Sequence, residues 1–268
     1  MSQPSSATAS ARAPLQRALD QVVIPDLLRR QIALVQRAGH ARELTRHDLT
    51  RLALASMRHA HAIESELDNL LSQGWPMERV YLDAIAGTAR LLGEWWIADQ
   101  LDFASLTLAT ERLQDIVRHW ESRFLSSSSK LPGADQYQVM LLSEFNDQHS
   151  LGMLMLQSFF KRDGWCVHNT WGMNEEDLLT RVEAINVHLV GLSICTDRRL
   201  PQTRQLIHAL RERSLNPQLQ IMVGGPLVLA QPHLVKDLGA DWLSGHADQA
   251  SREALNHVSQ TNPMGSRA

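Results

Sequence analysis

The chain has 268 residues, 44% of them hydrophobic and 21% charged, with a formal net charge of −3. This is the composition of an ordinary globular protein with room for two modest domains. The charge leaves no basic footprint, so electrostatics do not argue for direct nucleic-acid binding, and no apolar run reaches bilayer length, so no membrane partner is expected. The two cysteines, Cys166 and Cys195, are expected to be reduced, buried thiols in a cytoplasmic protein rather than a disulfide framework.

Residues 1–15 are Ser/Ala-rich with one charge and read as a disordered tail. Residues 16–125 read as a four-helix bundle. Its first apolar stripe, Leu27 to Val35, breaks near Gly39. A second helix, capped by Thr45 or Asp48, runs through Leu52, Met57, Ile63 and Leu67 until Gly74-Trp75-Pro76 stops it. A third covers Met77 to Trp96, and a fourth extends from about Asp102 to Phe124. His59 and His61, two apart on the second helix, face different sides and make no metal pair. Residues 126–136, opening on four serines, form a linker.

Residues 137–262 alternate short apolar runs with helical stretches. Strands are expected at 137–143, 165–170, 187–194, 219–223 and 241–244. Helices are expected at 150–163, 175–184, 200–213, 232–238 and 248–257. The fold class is therefore α plus α/β: a helical bundle followed by a Rossmann-like or flavodoxin-like domain with a five-stranded parallel sheet. Such sheets bind ligands beyond the carboxyl ends of their strands, near the switch point in strand order.

The run after the first strand, Asp147-Gln148-His149-Ser150-Leu151-Gly152, places an imidazole two residues after a carboxylate and three before a glycine. A carboxylate can hold one ring nitrogen so that the other faces a metal, and glycine lets the backbone pass close to a large flat ligand. Ser193, with Cys195 two residues on, closes the third strand, and Gly224-Gly225 closes the fourth. The strand order therefore brings three blocks to one sheet edge. On these residues alone cobalt and haem iron compete as the metal. Arg198-Arg199, in the loop after the third strand, reads as solvated charge, and Cys195 as an inert thiol.

Asp147-x-His149-x-x-Gly152, then Ser193-x-Cys195, then Gly224-Gly225 resembles the fingerprint of the cobalamin-binding domain family, with Cys195 where that family usually has Leu. The resemblance implies that His149 is the lower axial ligand of cobalt and that Asp147 holds the imidazole. It implies that Ser193 lines the tunnel for the displaced nucleotide tail, and that Gly152, Gly224 and Gly225 leave it room. The helical half, with Trp75-Pro76 and Leu91 to Trp96, is similar to the cap of corrinoid methyl-transfer proteins and of photoreceptors related to CarH. Aligning Trp96 with the photoreceptor Trp puts Leu106 and Thr107 where that group carries Glu and His. With Trp96 and Leu106 at the upper face, the hydroxo form of cobalamin is favoured over the adenosyl form. Methyl-transfer shuttles continue the motif as His-Asp-x-Gly-Lys-Asn, whereas this chain has His149-Ser150-Leu151-Gly152-Met153-Leu154. Domain content without a DNA-reading module is closest to stand-alone AerR/PpaA-type anti-repressors. That implies a light-responsive, non-enzymatic regulator whose partner is a DNA-bound repressor of the CrtJ/PpsR type. A corrinoid methyl-transfer carrier and a haem-binding redox sensor are the alternatives.

Overall fold

Three long helical rods, then five parallel strands, follow one another along the described chain. The computed structural model describes residues 43–143 and 151–262. The expected first helix, together with Asp147, Gln148, His149 and Ser150, lies outside the described residues. The described residues from Arg46 onward lie in one compact unit. No described helix is long and apolar enough to cross a membrane.

The first rod is α1 (Arg46–Arg58) and α2 (Ala60–Ser72), where one unbroken helix was expected. The break is at His59, which is extended at φ −167° and accepts the Ala62 amide on Nδ1 as the cap of α2. Arg112 donates to the Ser56 and Met57 carbonyls that the break leaves without helical partners. The second rod is α3 (Met77–Arg79), a π-helical stretch Val80–Ile85 and α4 (Ala86–Ile97). The third is α5 (Phe103–His119) and α6 (Glu121–Leu125). Asp102 caps α5 by accepting the Ser105 amide at 2.9 Å, a bond that also holds its carboxyl below the ordinary range.

Polar contacts fix the directions of these rods. Arg112 reaches Ser56, Trp120 reaches Glu64 and Arg123 reaches Asp68, a constant offset of 55 or 56 residues. The first and third rods therefore run parallel. Arg46 pairs with Glu94, so the second rod runs against the first.

The strands are β1 (Gln138–Leu142), β2 (Cys166–His168), β3 (Leu189–Ser193), β4 (Gln220–Gly224) and β5 (Trp242–Leu243), within the spans expected or one residue beyond. They pair in parallel in the order β2-β1-β3-β4-β5, the flavodoxin-like order with its switch point between β1 and β3. Helices α7 (Leu151–Arg162), α8 (Glu175–Ala184), α9 (Leu200–Arg213), α10 (Pro226–Ala230), α11 (Leu234–Leu238) and α12 (Ala247–Thr261) complete the alternation. Only α10 had no counterpart in the expected set. One core packs α8, α9 and α11 on the sheet through Leu179, Leu210 and Leu238. The other packs α7 and α12 on the opposite face through Phe160 and Ala254.

The two cysteines depart from expectation, since both are exposed. Cys166 opens the edge strand β2, where burial is shallow. After β3 it is Ile194, 1% exposed, that turns inward, and Cys195 faces out.

Candidate cofactor-binding site

The carboxyl ends of β1 and β3 separate at the switch point, and a cavity of about 280 Å³ opens there. Its floor is apolar, made by Leu142, Leu192, Ile194 and Leu206. Ser143 and Ser193, half-buried at the strand ends, also line it. Glu175 from the first turn of α8, with Arg199, Gln202 and Thr203 at the start of α9, supply the polar rim. This size is at the bottom of the range for drug-sized ligands, so the cavity takes part of a large cofactor rather than the whole.

Ser193, at the end of β3, lines the cavity, and β3–β4 pairing sets it directly beside Gly224. Cys195 lies near it, Oγ to Sγ 4.0 Å. The glycines divide into two kinds. A Cβ on Gly224 would come within 2.9 Å of the Ser244 carbonyl oxygen. One on Gly225, where φ is +96°, would come within 2.7 Å of both the nitrogen and the oxygen of Ile194. The backbone itself requires glycine at both positions. At Gly152, by contrast, a Cβ would meet no heavy atom of the described residues within 4 Å, so glycine leaves open space there.

Leu151 is buried as the first residue of α7 and Gly152 is exposed as the second. The carboxyl end of α7 lies against the bundle, where Lys161 meets Glu121 at 2.6 Å, Arg162 meets Glu78 at 2.7 Å and Phe159 meets Phe124. Helix α5 also packs against α7. In the bundle, Trp96 is 47% exposed and Leu106 is half-buried. Neither lines the cavity.

Sequence reasoning passed over the rim. Arg199, read as solvated loop charge, is exposed but forms part of the cavity wall. Glu175, Gln202 and Thr203 had no motif to mark them. Only their position in the first turns of the helices that follow β2 and β3 could have done so. Trp171, 63% exposed in the loop after β2, was likewise unremarked.

The cavity at the switch point thus offers an apolar floor and a polar rim to part of a large cofactor. Residues 137–255 match the family model described as the B12 binding domain. The chain is 23% identical over 166 residues to a 20.5 kDa protein of the bchF–crtJ intergenic region of Rhodobacter capsulatus, covering 62% of this chain and 85% of that one. It is 25% identical over 109 residues to dimethylamine corrinoid protein 3 of Methanosarcina mazei, covering 40% of this chain and 64% of that one, just under two thirds. The Methanosarcina barkeri monomethylamine corrinoid protein superposes with a TM-score of 0.64 at 14% identity, over 77% of this chain and 96% of that one, and so shares the fold. The similarity to the B12 binding domain family is therefore carried by residues 137–255, less than half of the chain.

Proposed function

We propose that this protein is a cobalamin-binding, light-responsive regulator that relieves a DNA-bound repressor of the CrtJ/PpsR type. The observation that carries the reading is the B12-binding domain with its His149 motif feeding directly into α7, the helix on which the bundle rests. His149 would ligate cobalt, with Asp147 fixing its tautomer. Ser193 would line the tail cavity, and Gly152 would keep the ring's approach clear. Gln148, Ser150, Leu151 and Cys195 would border the site, and Trp96 and Leu106 would cover the upper face of the hydroxo form. Bound cobalamin would supply a light-labile bond to cobalt, and the protein would supply orientation and exclusion of water. The Rhodobacter capsulatus relative supports the partner assignment, because its place beside crtJ links it to a repressor of that type.

A corrinoid methyl-transfer carrier is the second reading, favoured by the likeness to the Methanosarcina mazei corrinoid protein. Against it, the residues after Gly152 are apolar, and Met153 is buried in the core between sheet and helices.

The test is an absorbance titration with hydroxo- and adenosylcobalamin, in the dark and after illumination, for wild type and His149→Ala. A ligation spectrum in wild type that disappears in the variant, with a light-induced change, supports the regulator. Methylcobalamin turnover with a methyltransferase partner and no light response would move the assignment to the carrier. Failure to retain cobalamin in either form would overturn both readings and direct attention to haem.

A further inference from the structure

At the amino-terminal edge of the sheet, away from the cavity, His188 ties three strands together. It stands directly before β3. Gln138 opens β1, and its carbonyl accepts from the His188 amide at 2.9 Å. The His188 carbonyl in turn accepts from the Gln220 amide of β4 at 3.0 Å. The Gln138 amide finds no backbone carbonyl among the described residues. The chain before β3 turns back on itself there, with the Val187 amide donating to the Ile185 carbonyl, and the His188 ring takes the acceptor's place. Gln138 donates to its Nδ1 at 3.1 Å. A ring nitrogen accepts such a bond only while it is unprotonated.

The surroundings of His188 do nothing for its charged form. The rings of Tyr137 and His188 meet edge-on with centroids 5.2 Å apart, and the Asn186 amide lies 3.3 Å from Nε2. The charged groups of the neighbouring elements are engaged elsewhere or face water. Glu183 of α8 pairs with Arg213, Asp241 before β5 pairs with Arg211, and Asp135 before β1 is exposed. Arg181 of α8 bears on His168 instead, and His168 meets the Gln138 side chain, Nε2 to Oε1 2.8 Å. Burial therefore sets the His188 pKa, and sets it below the ordinary value of 6.5.

We infer that His188 is a proton-operated latch on β1: the neutral ring completes the hydrogen bonding at the amino end of the strand, and protonation opens it. Strand β1 is paired on both sides, and its far end leads into Leu142 and Ser143 of the cavity wall. The latch thus acts on the strand that supports the cavity, from the opposite edge of the sheet. It is a property of the ligand-free protein, whichever cofactor reading holds. Because the folded-state pKa lies below the unfolded one, the latch contributes its full stability above 6.5 and loses it as the pH falls through the folded value.

The experiment uses the ligand-free full chain at about pH 7.5 and about pH 5.5, on either side of ordinary histidine titration. Urea unfolding and NMR-detected hydrogen exchange of the Gln138 amide are the readouts. The variants are His188→Asn, whose side-chain oxygen replaces Nδ1 as an acceptor that does not titrate, and His168→Gln, which leaves His188 in place. From the higher to the lower pH, the folding equilibrium constant of wild type should fall about fivefold more than that of His188→Asn, the size of one hydrogen bond. The Gln138 amide, corrected for its intrinsic exchange rate, should lose protection about fivefold in wild type and in His168→Gln, and keep it in His188→Asn. A His188→Asn variant that follows the wild-type pH dependence overturns the inference. So does a wild-type Gln138 amide equally protected at both pH values, a result that needs no variant to fold.

Discussion

At the scale of single residues, the motif glycines are of two kinds, which mutation can separate. Gly225 combines φ +96° with backbone atoms of Ile194 within 2.7 Å of any Cβ, so its requirement is met before any ligand arrives. Gly225→Ala should destabilise the ligand-free protein by more than about 1 kcal/mol, through both strain and collision. Gly152 has no such neighbour among the described residues and lies in the first turn of α7. Gly152→Ala should leave ligand-free stability unchanged or raise it by up to about 1 kcal/mol, since alanine is the better helix former. On the proposed binding mode cobalamin affinity should nevertheless fall, because the added methyl would occupy the ring's approach. Urea unfolding followed by a cobalamin titration reads both effects. Equal destabilisation by the two substitutions would refute the division. The sequence displayed all three glycines, but not this difference, which depends on whether backbone or open space faces the α-carbon.

At the scale of elements, α7 joins the motif at one end to the bundle at the other. Its last residue, Arg162, is 4% exposed and its neighbour Asp163 is 2% exposed. The guanidinium donates to Asp163 Oδ1 at 2.8 Å and to Glu78 Oε2 at 2.7 Å, and lies over the rings of Phe124 and Phe159. Ser251 of α12 donates to the other carboxylate oxygen of Asp163. Arg162→Met should therefore cost about 3–5 kcal/mol, because Asp163 is left charged and buried without its partner. Glu78 is half-exposed at 41%, and Glu78→Gln should cost at most about 1 kcal/mol. Arg162→Met combined with Asp163→Asn should recover part of the loss. Thermal melts of the four proteins check this, and a double variant no better than Arg162→Met would count against it. None of this network was legible in the sequence, where Arg162 and Asp163 sit unremarked at a helix end. The strands were legible because each is a short apolar run between turn signals. The break at His59 was missed because the apolar spacing continues across it; the deciding contact is from Arg112, far along the chain.

At the scale of the whole molecule, the serine-rich stretch reads from sequence as a linker between the bundle and the α/β domain. The described structure constrains that picture. Phe124 of α6 is fully buried, stacked on Tyr81 of the second rod at 4.1 Å and set edge-on to Phe159 of α7 at 5.0 Å. The stretch itself is tied down, since the Leu131 amide donates to the Asp163 carbonyl at 2.8 Å and Ala134 is buried. Hinging there would expose two phenylalanines, at about 1.5–3 kcal/mol each, and unpair Arg162 as well. The same packing predicts that helical rods and sheet unfold together. Heating the ligand-free full chain should give one transition, with the same midpoint by far-ultraviolet circular dichroism and by tryptophan fluorescence, and a calorimetric enthalpy equal to the van't Hoff value. Two resolved transitions, with the α/β strands surviving loss of the bundle, would mean that the Phe124–Phe159 contact does not couple the halves. In that case the serine-rich stretch would again be the place where a signal could bend the molecule.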